Sequence, residues 1–274
     1  MSPNGTANGY RTAESSASRV VNDEFPQNWV PFSDKPAYTR RKLQMIYHEL
    51  KINDTIDLVI YDKNPGVGGV WFVNTYPELS CDVPYHIYTF LFEPNPNWSH
   101  FLGPGAEIQD YIQRTTRKWN LDKDIQFNSQ VKSTVWNNES GKWNIEIDQL
   151  GSLQHDEADI LVNASGRDSK YTLPEIEGLS DFKGKLVHTS KWDHDYDWTD
   201  RNIAFIGNGS SDIQCVTRLQ PKAKSLVNFV RSPTWISSNF LAEKTPNGLN
   251  FAYTEEQKKE SRSPRRLTSN IEGS

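Results

Sequence analysis

Between Gly9 and Gly66 the chain carries no glycine. The gap excludes a glycine-rich phosphate turn from that stretch, because such turns need residues that let backbone N–H groups approach an anion closely. Cysteine is also scarce: Cys81 and Cys215 are the only two, too few for a disulfide framework, and no CxxC or Cys/His cluster has zinc spacing. A reducing, intracellular setting fits. No apolar run approaches the roughly 20 residues of a membrane span, and Met1 to Arg19 lacks the apolar centre of a signal peptide. A cytoplasmic protein is the expectation, with Asn4-Gly5-Thr6 left unglycosylated. Basic blocks are missing as well. Thirty Lys plus Arg stand against 35 Asp plus Glu, a net charge of -5, which leaves little footprint for nucleic acid or an anionic membrane.

What is present describes a globular chain that works on small molecules. At 274 residues, 35% hydrophobic and 24% charged, it can bury a substantial core and divide into two domains. Residues 1–33 begin with a Ser-, Asn- and Gly-rich stretch too poor in apolar groups to offset ordering entropy, and read as a disordered arm. Phe25, Trp29, Val30 and Phe32 within it could also pack as a strap. Residues 251–274 read as a disordered tail, apart from one helix-compatible stretch at about 254–262.

The most informative stretch is Ile203-Ala204-Phe205-Ile206-Gly207-Asn208-Gly209-Ser210-Ser211-Asp212-Ile213. An apolar strand, a turn with two close glycines and a helix to about Arg218 would lay N–H groups and a helix dipole against a diphosphate. The next apolar run, Ser225 to Val230, ends in Arg231-Ser232 where an acid for a ribose 2′-hydroxyl normally stands. A cation and a hydroxyl there suit a 2′-phosphate, so NADP is favoured over NAD.

A second, partial pattern lies upstream. Leu43, Ile46, Tyr47 and Leu50 recur at helical spacing over about 37–51, and Ile56 to Tyr61 reads as a buried strand ending at Asp62. Helix, strand and terminal acid match the second half of a dinucleotide-binding βαβ unit. Tyr38 to Leu43 stands where the first strand and its phosphate loop belong. Gly66-Val67-Gly68-Gly69-Val70-Trp71 follows as a turn that could let a flat ligand approach; a tight turn with a core Trp explains it equally well. The loop Tyr76 to Tyr88 is dense in polar and aromatic groups. Beyond it the patterns predict a helix over 106–119, a hairpin of 131–136 with 143–147, and a buried strand over 158–166.

Phe182-Lys183-Gly184-Lys185-Leu186-Val187-His188-Thr189-Ser190-Lys191-Trp192-Asp193 resembles the F-x-G-x-x-x-H-x-x-x-W-[P/D] fingerprint of Baeyer–Villiger monooxygenases at all five fixed positions. The likeness runs from about Lys42 to Thr254 and is to fungal flavin-binding monooxygenases of secondary metabolism. Gly68-Gly69-Val70-Trp71 is similar to the family's G-G-T-W flavin turn, Cys81-Asp82-Val83-Pro84 to its C-D-[VI] loop, and Asn163 to Gly166 to its A-T-G-like crossover. Gly207 to Ser211 resembles its second glycine fingerprint, and Arg231 to Thr234 its R-[ST]-P segment.

The resemblance implies an α/β flavoprotein of two dinucleotide-binding, Rossmann-like domains. Both look incomplete: a partial FAD domain over 34–166 without its phosphate loop, and an NADP domain over 167–250. Asp62, Val70, Trp71, Asp82 and Tyr88 would line FAD, and Gly68, Gly69 and Val83 would also take part in cofactor binding. Ser80, Cys81 and Asp82, with Gly207, Asn208, Gly209, Ser210, Ser211, Asp212, Ile213, Arg231 and Ser232, would contact NADP. Catalytic roles fall to Asp82, which would tune an arginine beside the flavin, and to His188 and Trp192 at the domain hinge. The implied reaction passes hydride from NADPH to FAD and inserts one oxygen atom of O2 next to a ketone, giving an ester or lactone.

The chain departs from the family at three points: the first glycine loop, the third glycine position, which is Asp212, and the length, which lacks the half-chain that supplies the arginine. Two other readings therefore stand beside the first: an inactive truncated paralogue that binds at most NADP, and an N- or S-oxygenating flavoenzyme. Other local patterns carry less. A histidine between apolar runs, as His188 is, has by itself the pattern of a structural residue, and Cys81 that of a small apolar one. Asp193 to Asp197 lacks the Gly and Glu of an EF-hand loop, with Trp198 and Ala204 in their places, and reads as a solvated turn with no metal.

Overall fold

The computed structural model describes residues 56–166, 171–235 and 245–262, all within one unit running from Ala37 to Ser274. The expected arm, the helix over 37–51 and the position of the first phosphate loop lie outside the described residues.

Helix formation is clearest after Pro104. Strand β1 (Ile60–Tyr61) and the short helix α1 (Val70–Val73) lead to α2 (Gly105–Trp119), which begins next to Pro104 and carries Glu107 in its first turn. Asn120, in the left-handed region at φ 48°, ends it by donating its N–H to Arg117 and Thr116. Ile108, Tyr111, Ile112 and Thr115 fall on one buried face at spacings of three and four. That face meets Cys81, Tyr85 and Trp98, and Trp98 and Tyr85 are wholly buried with ring centroids 4.3 Å apart. A Cβ at Gly103 would lie 1.9 Å from the Tyr85 ring, so only glycine admits this packing.

The strand expected over Ile56 to Tyr61 is only two residues long, pairing in parallel with β2 (Ile125–Gln126) through Ile60 and Ile125. The expected hairpin is a three-stranded antiparallel meander of β3 (Ser129–Asn137), β4 (Lys142–Gln149) and β5 (Ser152–Ala158). Trp136 stands opposite Trp143, and their ring centroids are 5.5 Å apart. Leu150 and Gly151, at φ 53° and 86°, make the tight turn into β5. The buried strand expected over 158–166 does not form: residues 159–166 are irregular and Ile160 is 80% exposed. An interior strand needs neighbours to take its N–H and C=O groups, and among the described residues β1 and β2 form a sheet of only two strands.

The second half follows its pattern closely. Parallel β6 (Asn202–Ile206) and β7 (Ser225–Phe229) flank α3 (Ser210–Leu219), with Ile203 opposite Leu226. Cys215 and Leu219 of α3 pack with Ile203, Phe205, Leu226, Trp192, Trp198 and the upstream Tyr76 and Leu79. The tail expected from residue 251 is structured as far as Arg262. Phe101 donates its N–H to Phe251 and Tyr253 donates to Ser99, and α4 (Glu255–Ser261) opens with a reciprocal Thr254–Gln257 capping box.

Candidate functional site

The site is built where β6 gives way to α3. Gly207 has φ 133°, which strains any side-chain-bearing residue, and its N–H reaches Phe229 O at 3.0 Å. Gly209 is the N-cap of α3. Asn208 Nδ2 donates to Ser232 O at 2.8 Å and hydrogen-bonds Thr234 Oγ1, which ties the Arg231 to Thr234 segment beside the glycine turn. Arg231, Ser232, Ser210 and Ile213 are exposed there. The fold thus gathers every candidate NADP residue of this half around one turn.

Asp212, at the third glycine position, lies on the first turn of α3. Its Oδ2 accepts the Gly209 N–H at 2.7 Å, so the carboxylate curls back over the turn and caps the helix. A Cβ at Gly207 would lie 2.2 Å from the same oxygen. This side chain therefore takes up one N–H of the turn and the room beside the Gly207 α-carbon.

A hydrogen-bonded seam joins this helix to the loop upstream. Tyr76 Oη donates to Gln214 Oε1 at 3.1 Å and lies 3.1 Å from Ser211 Oγ. Gln214 Nε2 donates to Ser80 O and Oγ, and Ser80 N donates back to Gln214 Oε1. Glu78 pairs with Arg218 at 3.5 Å and His194 Nε2 lies 2.9 Å from Thr75 Oγ1. Sequence reading missed Gln214 and placed Tyr76 only within a polar, aromatic loop. The only signal for Gln214 was its spacing of three from Ser211 on α3, which names no partner.

Beyond Ser80 the loop is pinned to residues 101–105 by Cys81 N to Gly103 O, Tyr85 N to Phe101 O and Gly105 N to Leu79 O. Cys81 and Tyr85 turn inward, while Asp82 between them is exposed. Burial raises the Cys81 thiol and pushes that of Cys215 up to about 12, so both behave as packing groups. Both are free.

On the flavin side, Gly68 and Gly69 have φ 136° and 60°. A Cβ at Gly69 would meet nothing within 4 Å, and Val70 is exposed, so this face can receive a flat ring. Beside it Trp71 Nε1 donates to Tyr88 Oη at 3.1 Å, the rings edge to face. The far side of Gly68 is closed by Gln109, whose Nε2 donates to Val67 O at 2.8 Å. Asp62 Oδ1 accepts from Asn64 N and Nδ2, closing the turn after β1. Gly69, Val70, Trp71 and Tyr88 fit a flavin.

His188 and Trp192 lie on the α3 side. His188 Nδ1 accepts the Ser190 N–H at 3.1 Å and its ring stacks on Tyr171 at 4.6 Å. Burial lowers its pKa, against the opposing pull of the Asp212 carboxylate. Trp192 packs edge to face on Trp198 beside Cys215 and Leu219. Among the described residues no hydrogen bond, ion pair or ring contact joins either to Asp82. The acidic turn closes on itself: Asp193 accepts from Asp195 N and pairs with Lys185, and Asp197 accepts from Thr199 N.

Strand, glycine turn and helix, with the loop at Ser80 docked on that helix and a second glycine turn upstream, fit the class of a two-dinucleotide-binding flavoprotein. The profile of the flavin-binding monooxygenase-like family matches residues 61–268. The chain is 45% identical over 251 residues to the FAD-binding monooxygenase tazF of Aspergillus terreus, covering 85% of this chain and 45% of that protein. A Baeyer-Villiger monooxygenase of Streptomyces coelicolor is 39% identical over 180 residues, 66% of this chain and 34% of that one. Oxidized steroid monooxygenase bound to NADP superposes with a TM-score of 0.65 at 30% identity, covering 81% of this chain and 42% of that chain. The chain belongs to the flavin-binding monooxygenase-like family, an enzyme family whose cofactors are FAD and NADP. It spans less than half the length of these relatives. Among the described residues no helix is long and apolar enough to cross a membrane.

Proposed function

We infer that the whole protein is a FAD- and NADPH-dependent monooxygenase of the Baeyer–Villiger type, which inserts one oxygen atom of O2 next to a ketone in secondary metabolism. The observation that carries this reading is the docking of the Asp82 loop on α3 through Ser80 and Gln214, because it holds a flavin-side loop against a nucleotide-side helix. Residues 34–166 serve the flavin and 167–250 the nucleotide. A bound flavin supplies the redox chemistry and activates O2. Gly69 and Val70 offer it an open face, Trp71 and Tyr88 a packed edge, and Asp82 an exposed carboxylate that can hold a guanidinium by charge-assisted hydrogen bonds. His188 and Trp192 brace the α3 side, so that a change in the loop–helix contact is felt at the nucleotide turn. Two buried free thiols accord with a cytoplasmic setting.

Reconstitution with FAD tests the reading. Protein that emerges yellow from a desalting column and oxidises NADPH faster with a cyclic ketone than with an amine or sulfide supports it. Colourless protein sinks flavin binding by this chain, and turnover confined to amines or sulfides turns the reading to N- or S-oxygenation. The seated Asp212 carboxylate favours a second reading, in which the chain is inactive and retains at most weak NADP binding. It predicts no flavin uptake.

A further inference from the structure

We propose that Asp212 is an internal stand-in for the nucleotide phosphate, closing the glycine turn so that NADP enters only by displacing the chain's own carboxylate. The inference rests on the reading of Gly207 to Ile213 as an NADP site. A phosphate at a helix start is held by N–H groups and by the positive end of the helix dipole. Asp212 already uses one such N–H and the dipole. Its Oδ2 takes the Gly209 N–H at 2.7 Å, and it stands on the first turn of a ten-residue helix, where a negative charge is favourable. The same oxygen fills the volume beside the Gly207 α-carbon, which a glycine in place of Asp212 would leave open.

Three other groups set the carboxylate's surroundings. Tyr76, His188 and Cys215 all interact electrostatically with it; of these only His188 can carry a positive charge, and burial disfavours that charge. An entering diphosphate therefore meets both an occupied donor and a like charge. Arg231 and Ser232 stay exposed across the turn, available to a 2′-phosphate but distant in role from the blocked position. The expected consequence is a nucleotide site with its selectivity residues intact and its diphosphate anchor closed.

Calorimetric titration of the purified chain with NADP+ tests this, using wild type, Asp212→Gly and Asp212→Asn. Asp212→Gly is expected to bind at least about tenfold more tightly than wild type. Asp212→Asn keeps a capping oxygen without the charge and is expected between them. Amide hydrogen exchange supplies a readout free of ligand: the Gly209 N–H should exchange slowly in wild type and Asp212→Asn, and quickly in Asp212→Gly. Equal NADP+ affinity in wild type and Asp212→Gly overturns the proposal while leaving the site reading intact. Equal Gly209 exchange in those two also overturns it. If no variant binds NADP+, the site reading falls and the proposal with it. Should Asp212→Gly fail to fold, Asp212→Asn decides alone: tighter binding than wild type supports the charge component, and equal or weaker binding overturns it.

Discussion

Around Tyr85 and Trp98 the aromatic rings meet other side chains on every face, whereas the β6–β7 sheet has one packed face and one bare one. Ile203, Phe205 and Leu226 lie under α3, while Ile206, Val227 and Phe229 are 53%, 52% and 56% exposed. Burying a large apolar side chain stabilises a fold by roughly 1.5–3 kcal/mol, and exposed ones contribute little of this. The loop–helix region thus holds the chain together, and the glycine turn that identifies the family stands on a thinner support. Packing and recognition are carried by different parts of this molecule.

Truncation in each region breaks or sharpens that contrast. Trp98→Ala, which empties the centre of the first core, should cost about 3–5 kcal/mol of unfolding free energy in a urea melt; a loss below about 1 kcal/mol would undo the comparison. Gln214→Ala removes the hydrogen bonds that join loop to helix and should cost roughly 1–3 kcal/mol, with faster amide exchange at Ser80 and Cys81 as a local readout. Unchanged exchange there would mean that the loop holds its place without α3. Acidification should produce a smaller loss. Burial depresses the folded-state pKa of His188 below its ordinary value near 6.5, so the unfolded chain takes the proton first. Stability is then full above about pH 6.5 and declines as the pH falls through the folded value. His188→Gln should flatten that part of the melting-temperature profile, and identical slopes in the two proteins would refute the assignment. Phe229→Ser, on the bare face, should change stability by no more than about 0.5 kcal/mol.

Much of the fold was legible because it follows simple periods. Helix α2 and the β6–turn–α3–β7 unit form within a residue or two of the expected bounds, since each has a repeating apolar face and a recognisable terminus. Strand β5 was missed for a physical reason. Its residues Ser152 to Ala158 are polar on both faces with no β-branched member, and its turn uses Leu150 where Asn or Asp is the usual signal. The strand expected over 158–166 failed for the opposite reason: the apolar run is there, but the sheet it would join has only two strands among the described residues.

The sequence by itself determined the family and the two glycine turns, because these depend on residue types at fixed spacing. Only the tertiary structure decided what fills those turns. Asp212 could be read as a misplaced carboxylate, but whether it crowds the helix, faces solvent or caps Gly209 depends on side-chain torsions and on a hydrogen bond across three residues. Gln214 and Ser80 lie 134 positions apart, and their pairing follows from how the loop packs on α2 and α3. Spacing encodes local chemistry, and folding chooses which of those groups meet.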